Sequence, residues 1–451
     1  MPINPTNRDI ALEIINHTDY NDVLLYHIFY DCFYFFKGGY WEIMSEREIT
    51  ILISNFIGSQ YPKIKITMAQ IFDIKNFLKI HCLRQIEEEE DQYIAFKDRL
   101  LNTNTMNTIP FDKEKLCVFH VPYNYEDIKI NIPNWERFLQ TSLVMRENVI
   151  EPDIELISLA QEMFGYFFSS SKNLQNIGTA WFLIGDGSNG KTIMLNRLED
   201  IFRKRYCSSF TIQALTVEQF NLPGIINKKI NISNEDESKY IRSDKFKALI
   251  TGQMVQTARK FGQSFEFSPK TKYAFASNKL LSFETMDYAL KRRIKILPFF
   301  RRFLPHEKDF TLEAKLKLET AGIIGWALEG LKRLQRNNYI FSEAKATNQA
   351  LKEFESETSS AIRFIEENYL VTQDEDVGVI NDYLYSTYKN WCEKNGKKPL
   401  SSFNFQGDIA RNIDGIKLIR LKNPEGKRMY ARNFVLKEDE EEEIDISKLL
   451  L

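Results

Sequence analysis

The segment Trp181-Phe-Leu-Ile-Gly-Asp-Gly-Ser-Asn-Gly-Lys-Thr192 joins an apolar run to the pattern GxxxxGK(S/T). Beyond it, Met194, Leu198, Ile201 and Phe202 recur at the spacing of one helix face. The sequence therefore predicts a buried strand, a glycine-rich loop and a helix that packs on a sheet. A loop of this kind cradles phosphates with its backbone N–H groups and with the positive end of the following helix.

Two side chains at the end of this loop carry the predicted chemistry. Lys191 would reach the β- and γ-phosphates, and the Thr192 hydroxyl would hold Mg²⁺. The alternative is a chance match in a glycine-containing loop, which the flanking strand and helix disfavour. The sequence therefore predicts that the chain binds a nucleoside triphosphate with Mg²⁺. The predicted nucleotide-binding residues are Gly185, Asp186, Gly187, Ser188, Asn189, Gly190, Lys191 and Thr192.

The composition is typical of a soluble globular protein of two to four domains, with 451 residues, 43% hydrophobic residues and 27% charged residues. Because the net charge is only −2, nucleic-acid binding would have to come from local basic patches. The five cysteines are scattered and form no CxxC pair, which disfavours a disulfide framework and a zinc site. No apolar stretch reaches the length of a membrane span, so we expect a cytoplasmic protein with no membrane partner.

Strands and helices alternate from Thr179 to about Phe299, a pattern typical of a mostly parallel α/β sheet. Trp135 to about Phe168 is predicted to be mainly helical. The acidic run Glu87–Asp91 is predicted to be a solvated turn or helix face. A polar stretch near 340–358 is predicted to link the sheet region to a C-terminal unit. The predicted divisions of the chain are 1–120, 121–178, 179–340, 355–437 and 438–451.

The C-terminal unit has the element order of a winged helix: helix, turn, helix, hairpin. Between Thr387 and Lys437 there are 12 Lys and Arg residues against 4 Asp and Glu residues. The last 14 residues hold 7 acids and one lysine, and form an acidic tail. The predicted elements are Ile380–Cys392, Asn395–Pro399, Leu400–Ile413, Ile416–Lys422 and Lys427–Lys437.

An NTPase also needs a carboxylate at the end of a second core strand, to hold the Mg²⁺ shell and to orient the attacking water. The segment Lys229–Glu237 supplies one, with Glu235 as the best candidate and an acidic surface loop as the alternative. A third predicted strand begins at Lys272 and ends in Asn278, whose amide can contact the γ-phosphate or the lytic water.

A basic cluster, Lys291-Arg-Arg293, precedes the next predicted strand. In ring ATPases an arginine at this place can project into the site of a neighbouring subunit and stabilise transition-state charge. Arg292 and Arg293 are therefore candidate arginine fingers. A basic cluster without that role is the alternative.

A predicted hairpin at Val255–Phe267 carries Arg259, Lys260, Phe261 and Gly262 at its tip. A cation beside an exposed aromatic side chain suits single-stranded nucleic acid, because lysine binds phosphate and phenylalanine stacks on a base or sugar. An ordinary surface hairpin is the alternative.

In this order and at these separations, the segments GDGSNGKT, ISNEDES, KALITGQMVQTARKFGQSFEFSP, YAFASN and LKRRIKILPF resemble superfamily 3 helicases, particularly the poxvirus and phage-type primase–helicase branch. The resemblance implies that Lys191 and Thr192 belong to the Walker A motif, Glu235 to Walker B, and Asn278 to the sensor position. Many members carry two acids in Walker B, whereas Asn234 occupies the first position here. Metal binding would then rest on Thr192 and Glu235, with Asp236 as a further candidate of open role.

The same resemblance implies roles for residues that contact DNA or a second subunit. Lys260 and Phe261, beside Arg259, would form the tip of a DNA-tracking hairpin. Arg293, favoured over Arg292, would be the arginine finger. Lys247 falls where some relatives place a basic residue that reaches the nucleotide across the subunit interface.

Weaker likeness extends outward over about three quarters of the chain, through FYFFKGGYWEIMSEREITILISNFI, NIPNWERFLQTSL and YLYSTYKNWCEKNGKKPLSSFNFQGDI. It implies an α/β fold: an AAA+-like P-loop ATPase core, an α-rich N-terminal region with a helical collar-like part, and a C-terminal winged-helix domain. The chain is similar to the Rep initiators of staphylococcal pathogenicity islands. We therefore expect a free-standing helicase of a phage or mobile genetic element, acting in the cytoplasm of a bacterial host.

The resemblance implies an ATP-driven DNA helicase that forms a ring, expected to be a hexamer, with single-stranded DNA in its channel and 3′-to-5′ movement. The winged helix would bind duplex origin DNA, although it could instead bind a protein, and the acidic tail could dock a host replication protein. The rival hypotheses are an initiator or loader that hydrolyses ATP without unwinding, and an RNA-directed NTPase. The candidate residues for duplex binding are Ser401, Ser402, Asn404, Gln406, Arg411, Lys427, Arg428 and Arg432.

Overall fold

The structure is a computed structural model that describes residues 5–28, 31–83, 91–146, 149–218, 220–234, 236, 238, 241–260, 262–278, 283, 287–358, 360–374, 376–395, 399–422 and 427–437. Its N-terminal region packs helices against two small antiparallel sheets. Thr6, Ser45 and Thr67 form capping boxes that fix where the helices begin. The elements are α1 Asn7–Asn16, β1 Leu24–His27, β2 Cys32–Phe36, β3 Trp41–Met44, α2 Glu46–Gln60, α3 Met68–His81, β4 Tyr93–Ala95, β5 Leu100–Asn102 and β6 Thr108–Ile109.

The acidic run Glu87–Asp91 is predicted to be solvated, and the structure differs from this prediction at Asp91. Residues 84–90 lie outside the described part of the chain. The Asp91 carboxylate accepts hydrogen bonds from Ser170 Oγ at 2.8 Å and from the Ser171 N–H at 2.6 Å. Burial alone would raise the pKa of Asp91, but the charges of Lys229 and Lys272 and the hydrogen bonds from Ser171 lower it to about 2. Asp91 therefore joins the N-terminal region to the central region and is not a solvated end.

The region from Trp135 to about Phe168 is mainly helical as predicted, but a β-hairpin that was not predicted lies between its two helices. Trp135, Phe138 and Phe164 bury their rings in the same hydrophobic core as the sheet that follows, so this region packs directly on the centre of the molecule. The hairpin replaces helix where Val149 and Ile150 follow one another, since β-branched residues favour strands. The elements are α4 Pro133–Ser142, β7 Val144–Arg146, β8 Val149–Pro152, α5 Ile154–Phe168 and α6 Leu174–Ile177.

The central region confirms the predicted mixed α/β fold with a parallel sheet. The five strands lie in the order β10-β11-β14-β9-β15, and every neighbouring pair is parallel. A separate antiparallel hairpin, β12–β13, lies between two of the sheet strands in sequence. The elements are β9 Ala180–Ile184, α7 Lys191–Tyr206, β10 Cys207–Ser208, α8 Ile212–Thr216, β11 Ile230–Ser233, α9 Ser243–Ile250, β12 Val255–Ala258, β13 Ser264–Phe267, β14 Lys272–Ser277, α10 Tyr288–Lys291 and β15 Ile294–Pro298.

Three helices close the central region: α11 Leu312–Leu318, α12 Thr320–Arg336 and α13 Lys345–Thr358. α12 packs along α5, and the Arg333 guanidinium donates to the buried Glu162 carboxylate at 2.7 Å. α13 runs across the predicted division at residue 355. Its Ala350 and Leu351 pack against the core beneath the sheet, so this helix belongs with the central region.

The C-terminal region has its own hydrophobic core, in which Phe364, Tyr388 and Phe405 meet. Two helices followed by a pair of antiparallel strands occur in the predicted order. The predicted strand 427–437 is, however, divided into Arg428–Arg432, which pairs with Leu418–Lys422, and Phe434–Leu436, which pairs with Tyr369–Val371. The hairpin turn 423–426 and the acidic tail 438–451 lie outside the described residues. None of the helices in the described part of the chain is long and apolar enough to cross a membrane. The elements are α14 Ser360–Asn368, β16 Tyr369–Val371, β17 Val379–Ile380, α15 Asn381–Lys394, α16 Ser402–Asn412, β18 Leu418–Lys422, β19 Arg428–Arg432 and β20 Phe434–Leu436.

Candidate functional site

A cavity of about 690 Å³ lies at the sheet edge where β9 and β14 end. The glycine-rich loop 185–190 and the first turn of α7 form one side of it. α4 and the segment 301–315, which follows β15 and includes the first part of α11, line the rest. A cavity of this size is typical of small-molecule sites, and ligands of open parallel sheets bind at the carboxyl ends of the strands.

The loop conformation explains the glycine that precedes Lys191. Gly190 has φ +100°, and a Cβ atom there would lie 2.9 Å from Phe138 Cε2 and 3.0 Å from Ser142 Oγ. Glycine is therefore required on both conformational and steric grounds. Gly190 is also the residue before the first turn of α7, so this conformation aims the N–H groups of the helix at the cavity.

Lys191 and Asn278 meet in this cavity although they are 87 positions apart in sequence. Lys191 Nζ lies 3.2 Å from Asn278 Oδ1 and 3.2 Å from Asn189 Oδ1, and it also contacts the Gly185 carbonyl oxygen. Its side chain is 6% exposed. An anion that enters the cavity would compete with these oxygen atoms for the ammonium group, as the predicted contact with phosphate requires.

The candidate Mg²⁺ ligands differ in where the structure places them. Thr192 is exposed and lines the cavity. Glu235 lies outside the described residues, between the exposed Asn234 and the buried Asp236. The Asp236 carboxylate accepts hydrogen bonds from the Ile212 N–H at 2.8 Å and the Ser238 N–H at 3.0 Å. Because both carboxylate oxygens are already bonded in a buried position, Asp236 fits a structural role.

Sequence reasoning missed four cations that line the cavity, namely Arg137, Arg301, Lys308 and Lys315. Arg301 Nη2 lies 2.8 Å from Glu307 Oε1, Lys308 Nζ lies 3.1 Å from Ser188 Oγ, and Lys315 Nζ lies 2.7 Å from Asp309 Oδ2. Arg301 and Lys308 lie in an irregular segment, Arg137 lies on α4 and Lys315 lies on α11, and no motif marks any of them. They suit a polyanion, because several positive charges converge on one cavity.

Arg292 and Arg293 lie at the opposite end of the sheet strands from the cavity, where β9 begins. The Arg293 carbonyl accepts a hydrogen bond from the Ala180 N–H at 2.8 Å, at the start of β9, whereas the glycine-rich loop follows the end of β9. A strand of five residues spans about 16 Å. Arg292 is exposed. Arg293 Nη1 donates to the Ala289 carbonyl at 2.7 Å, and burial and the charge of Arg292 lower its pKa.

Lys247 is engaged within its own chain. Its Nζ lies 2.7 Å from Asp287 Oδ2 and 2.8 Å from Asp244 Oδ1. Burial alone would lower the pKa of Lys247, but its hydrogen bonds to the two carboxylates outweigh burial and raise it. The Asp287 carboxylate also caps α10 by accepting from the Leu290 N–H, which links Lys247 to the helix that precedes Arg293.

The β12–β13 hairpin forms where the sequence predicts it. Arg259 and Lys260 at its tip are exposed, and Phe261 lies outside the described residues. Arg259 Nη1 lies 3.7 Å from Asp31 Oδ2 in the N-terminal region. The carboxylate of Asp31 also accepts from Tyr26 Oη and Lys79 Nζ, each at 2.6 Å.

The C-terminal candidates lie on α16 and β19 or immediately before these elements. Ser401 caps α16 by accepting from the Asn404 N–H at 3.3 Å. Gln406 Oε1 accepts from Arg432 Nε at 3.1 Å, and burial lowers the pKa of Arg432. The side chain of Arg411 lies outside the described part. The other candidates, Ser402, Asn404, Lys427 and Arg428, are exposed. Phe403, on the same helix, is 88% exposed.

Three family matches cover successive parts of the chain. Residues 15–144 match the family described as "D5 N terminal like", residues 183–293 match "Family of unknown function (DUF5906)", and residues 362–445 match "Poxvirus D5 protein-like". A protein of Invertebrate iridescent virus 3 named "Putative helicase 121R" is 24% identical over 247 residues, which are 47% of this chain and 26% of that protein. The chain thus matches about a quarter of the length of this relative.

Solved structures of the NrS-1 C terminal region in the apo state also match. The structure of residues 305–718 has a TM-score of 0.46 at 14% identity, over 91% of this chain and 96% of that one. Its A form has a TM-score of 0.45 at 14% identity, over 92% and 96% of the two chains. Taken together, the chain is similar to D5-like proteins near both of its ends and to a viral putative helicase over about half of its length.

Proposed function

We propose that the chain is an ATP-driven DNA helicase that works as a ring, expected to be a hexamer, in the replication of a phage or mobile genetic element. It would act in the cytoplasm of a bacterial host, and it would be similar to the Rep initiators of staphylococcal pathogenicity islands. One observation carries it: Lys191 and Asn278 meet at the carboxyl end of the parallel sheet, and Arg293 lies at the opposite end of the strands.

Within one subunit, the residues around the cavity would bind and orient ATP. Lys191 and the N–H groups at the start of α7 would hold the phosphates, and Asn278 would contact the γ-phosphate or the attacking water. Mg²⁺, held by Thr192 and Glu235, would neutralise developing charge on the phosphates when bound. The buried ammonium group and the converging cations of the cavity fit such a polyanionic ligand.

Between subunits, Arg293 would complete the site. Arg293 is separated from its own glycine-rich loop by the length of β9, so it could reach only the nucleotide of a neighbouring copy. Such a finger stabilises charge in the transition state and is worth about 10³ to 10⁵ in turnover. Arg292 is the alternative finger. Lys247 would also contact the phosphate of the neighbouring nucleotide, after exchanging its Asp287 partner for that phosphate. ATP binding would tighten the interface through charge-assisted hydrogen bonds, and hydrolysis would loosen it.

The hairpin tip would carry the DNA strand. Lys260 would contact one phosphate, with Arg259 beside it and Phe261 against a base or sugar. The hairpin would move as the interface opens and closes, and the resemblance to superfamily 3 implies 3′-to-5′ movement.

Strand displacement on forked DNA with ATP tests the proposal. We expect the wild-type chain to unwind the fork, Lys191→Ala to lose ATP hydrolysis, and Lys260→Ala to hydrolyse ATP without unwinding. Lys63→Ala, which removes an exposed lysine of the N-terminal region, should behave as wild type. ATP hydrolysis without unwinding by the wild-type chain would favour the initiator or loader hypothesis. Preference for an RNA fork would favour an RNA-directed NTPase.

A second proposal concerns duplex origin DNA. The exposed cations Lys427 and Arg428, together with the polar N-terminal end of α16, suit a groove and its flanking phosphates. A chain that ends after Thr358 keeps α13 on the central core and should retain basal ATPase activity while losing sequence-specific duplex binding. Specific binding by the shortened chain would contradict this proposal. The acidic tail remains a candidate docking segment for host replication proteins.

A further inference from the structure

One large aromatic side chain on the rim of the cavity has no role in the chemistry described so far. Phe310 is 88% exposed and lines the cavity. A single exposed apolar residue is ordinary on a protein surface, so exposure alone says little. Its position beside a cavity that already holds a buried ammonium group and a glycine-rich loop is the informative observation.

The segment that carries Phe310 is tied to the glycine-rich loop. The Phe303 N–H donates to the Ser188 carbonyl at 2.9 Å, and Lys308 Nζ lies 3.1 Å from Ser188 Oγ. The Arg301 guanidinium lies over the Phe303 ring, 4.6 Å from its centroid. These contacts fix the start of the segment against the phosphate end of the cavity.

The end of the same segment is tied to α7. Glu313 accepts from Asn196 Nδ2 at 2.9 Å and from Arg197 Nη2 at 2.8 Å. The Arg197 side chain is 1% exposed, so this ion pair is anchored in the core. Phe310 therefore lies between two attachments to the loop and to the helix that begins with Lys191, and its distance from the phosphate site is set by the fold.

The cavity contains more than phosphate ligands. The loop and Lys191 account for an anionic group at one side, while Phe138, Phe303, Phe310 and Leu312 add apolar surface. A ligand that combines a polyanion with a flat apolar ring fits both kinds of lining. Aromatic side chains bind nucleobases by stacking, and stacking contributes about 1–3 kcal/mol per base, or about 5- to 150-fold in affinity.

We propose that Phe310 is the stacking platform for the base of the bound nucleoside triphosphate. This inference rests on the proposed binding of ATP in the same cavity, and it assigns the base to the 301–315 wall. Phe303 and Leu312 would border the base, and the loop would hold the phosphates.

Two ligands separate the base from the phosphates: ATP, and inorganic tripolyphosphate, which has no base. Calorimetric titration of the full chain should give about 5- to 150-fold weaker ATP binding for Phe310→Ala, with unchanged tripolyphosphate binding. Phe310→Trp should keep the ATP affinity, and its indole fluorescence should be quenched by ATP and not by tripolyphosphate. Leu318→Ala removes a side chain that is 89% exposed at the end of α11, outside the cavity, and should bind both ligands as wild type.

Each other outcome overturns the inference in a recognisable way. Equal ATP affinity of Phe310→Ala and wild type shows that the base lies elsewhere. Equal weakening of both ligands shows that the substitution disturbs the whole segment. Unchanged ATP affinity with loss of ring assembly in sedimentation makes Phe310 a subunit contact. If the wild-type chain binds neither ligand, the proposed nucleotide site itself fails.

Discussion

At Gly190, conformation and packing together leave no room for a side chain. Gly190→Ala would force a Cβ against Phe138 and Ser142 at φ +100°. We expect a loss of about 1–3 kcal/mol in the free energy of unfolding and weakened ATP binding, because the start of α7 would shift. Thermal unfolding and ATP titration measure the two effects. Gly187→Ala is the matched control for stability, since a Cβ there meets nothing within 4 Å.

Lys272 gives the stability of the protein a pH dependence. Burial, followed by the charge of Lys229, lowers its pKa to about 7 despite the opposing charge of Asp91. Between pH 7 and pH 10 the unfolded chain holds a proton on this lysine that the folded chain lacks, so the free energy of unfolding rises with pH. Relative to Lys272→Met, the wild-type chain should gain up to about 1.4 kcal/mol per pH unit in this window.

Urea denaturation at several pH values between 7 and 10 measures this gain. Lys65→Met, a change at an exposed lysine, should leave the pH dependence as in the wild-type chain. A constant difference between wild type and Lys272→Met across the window would show that Lys272 stays charged in the fold.

A site residue can be predicted from the sequence only where a local motif or a predicted element indicates its position. Lys191 and Asn278 were predictable because each follows a predicted strand, and parallel strands bring their carboxyl ends to one edge. Arg301 and Phe310 lie in an irregular stretch whose position depends on tertiary contacts with Ser188 and, through Glu313, with Arg197 of α7. Periodicity and local motifs contain no information about such contacts.

At the scale of elements, the N-terminal region holds the hairpin proposed to bind DNA. Asp31 pairs with Arg259, and it also binds Tyr26 and Lys79. Burial alone would raise the pKa of Asp31, but these hydrogen bonds and charges lower it, so the carboxylate is charged. Asp31→Asn should weaken the attachment of Arg259 and tighten single-stranded DNA binding about 1.5- to 5-fold, the range of an exposed ion pair.

Fluorescence anisotropy with labelled single-stranded DNA measures the change. The double variant Asp31→Asn/Arg259→Ala should lose the gain. Asp22→Asn removes the same charge from an ion pair with Lys113 at 3.2 Å and should leave the affinity unchanged. An equal gain in both single variants would indicate a general charge effect.

Element boundaries show where local patterns are insufficient. The sheet strands β9, β11, β14 and β15 and both strands of the β12–β13 hairpin lie where the sequence predicts them, whereas the two-residue strand β10 was not predicted. The β7–β8 hairpin lies between two stretches of helical periodicity and has no local motif of its own, while the polar residues of α13 indicate a linker. In the fold, Ala350 and Leu351 of α13 are covered by the core, a contact that composition does not reveal.

At the scale of the whole molecule, the proposed finger makes ATP hydrolysis a property of two subunits. Lys191→Ala lacks a working loop and Arg293→Ala lacks a finger, so each alone should be inactive. In a random equal mixture, about a quarter of the interfaces would join an intact loop to an intact finger, and ATPase activity should return in proportion. Mixing Lys191→Ala with Lys191→Ala/Arg293→Ala is the control and should stay inactive. Activity of Arg293→Ala alone at the wild-type rate would contradict the finger.

The length of β9 has a consequence for the time at which ATP is consumed. With the loop at one end of this strand and Arg293 at the other, a newly made single copy would keep its nucleotide intact. ATP hydrolysis would begin only when a second copy binds. At low concentration, its rate would therefore rise with the square of the protein concentration. At low protein concentration the chain would not hydrolyse ATP. The separation set by β9 would therefore make ATP hydrolysis depend on the local concentration of the protein.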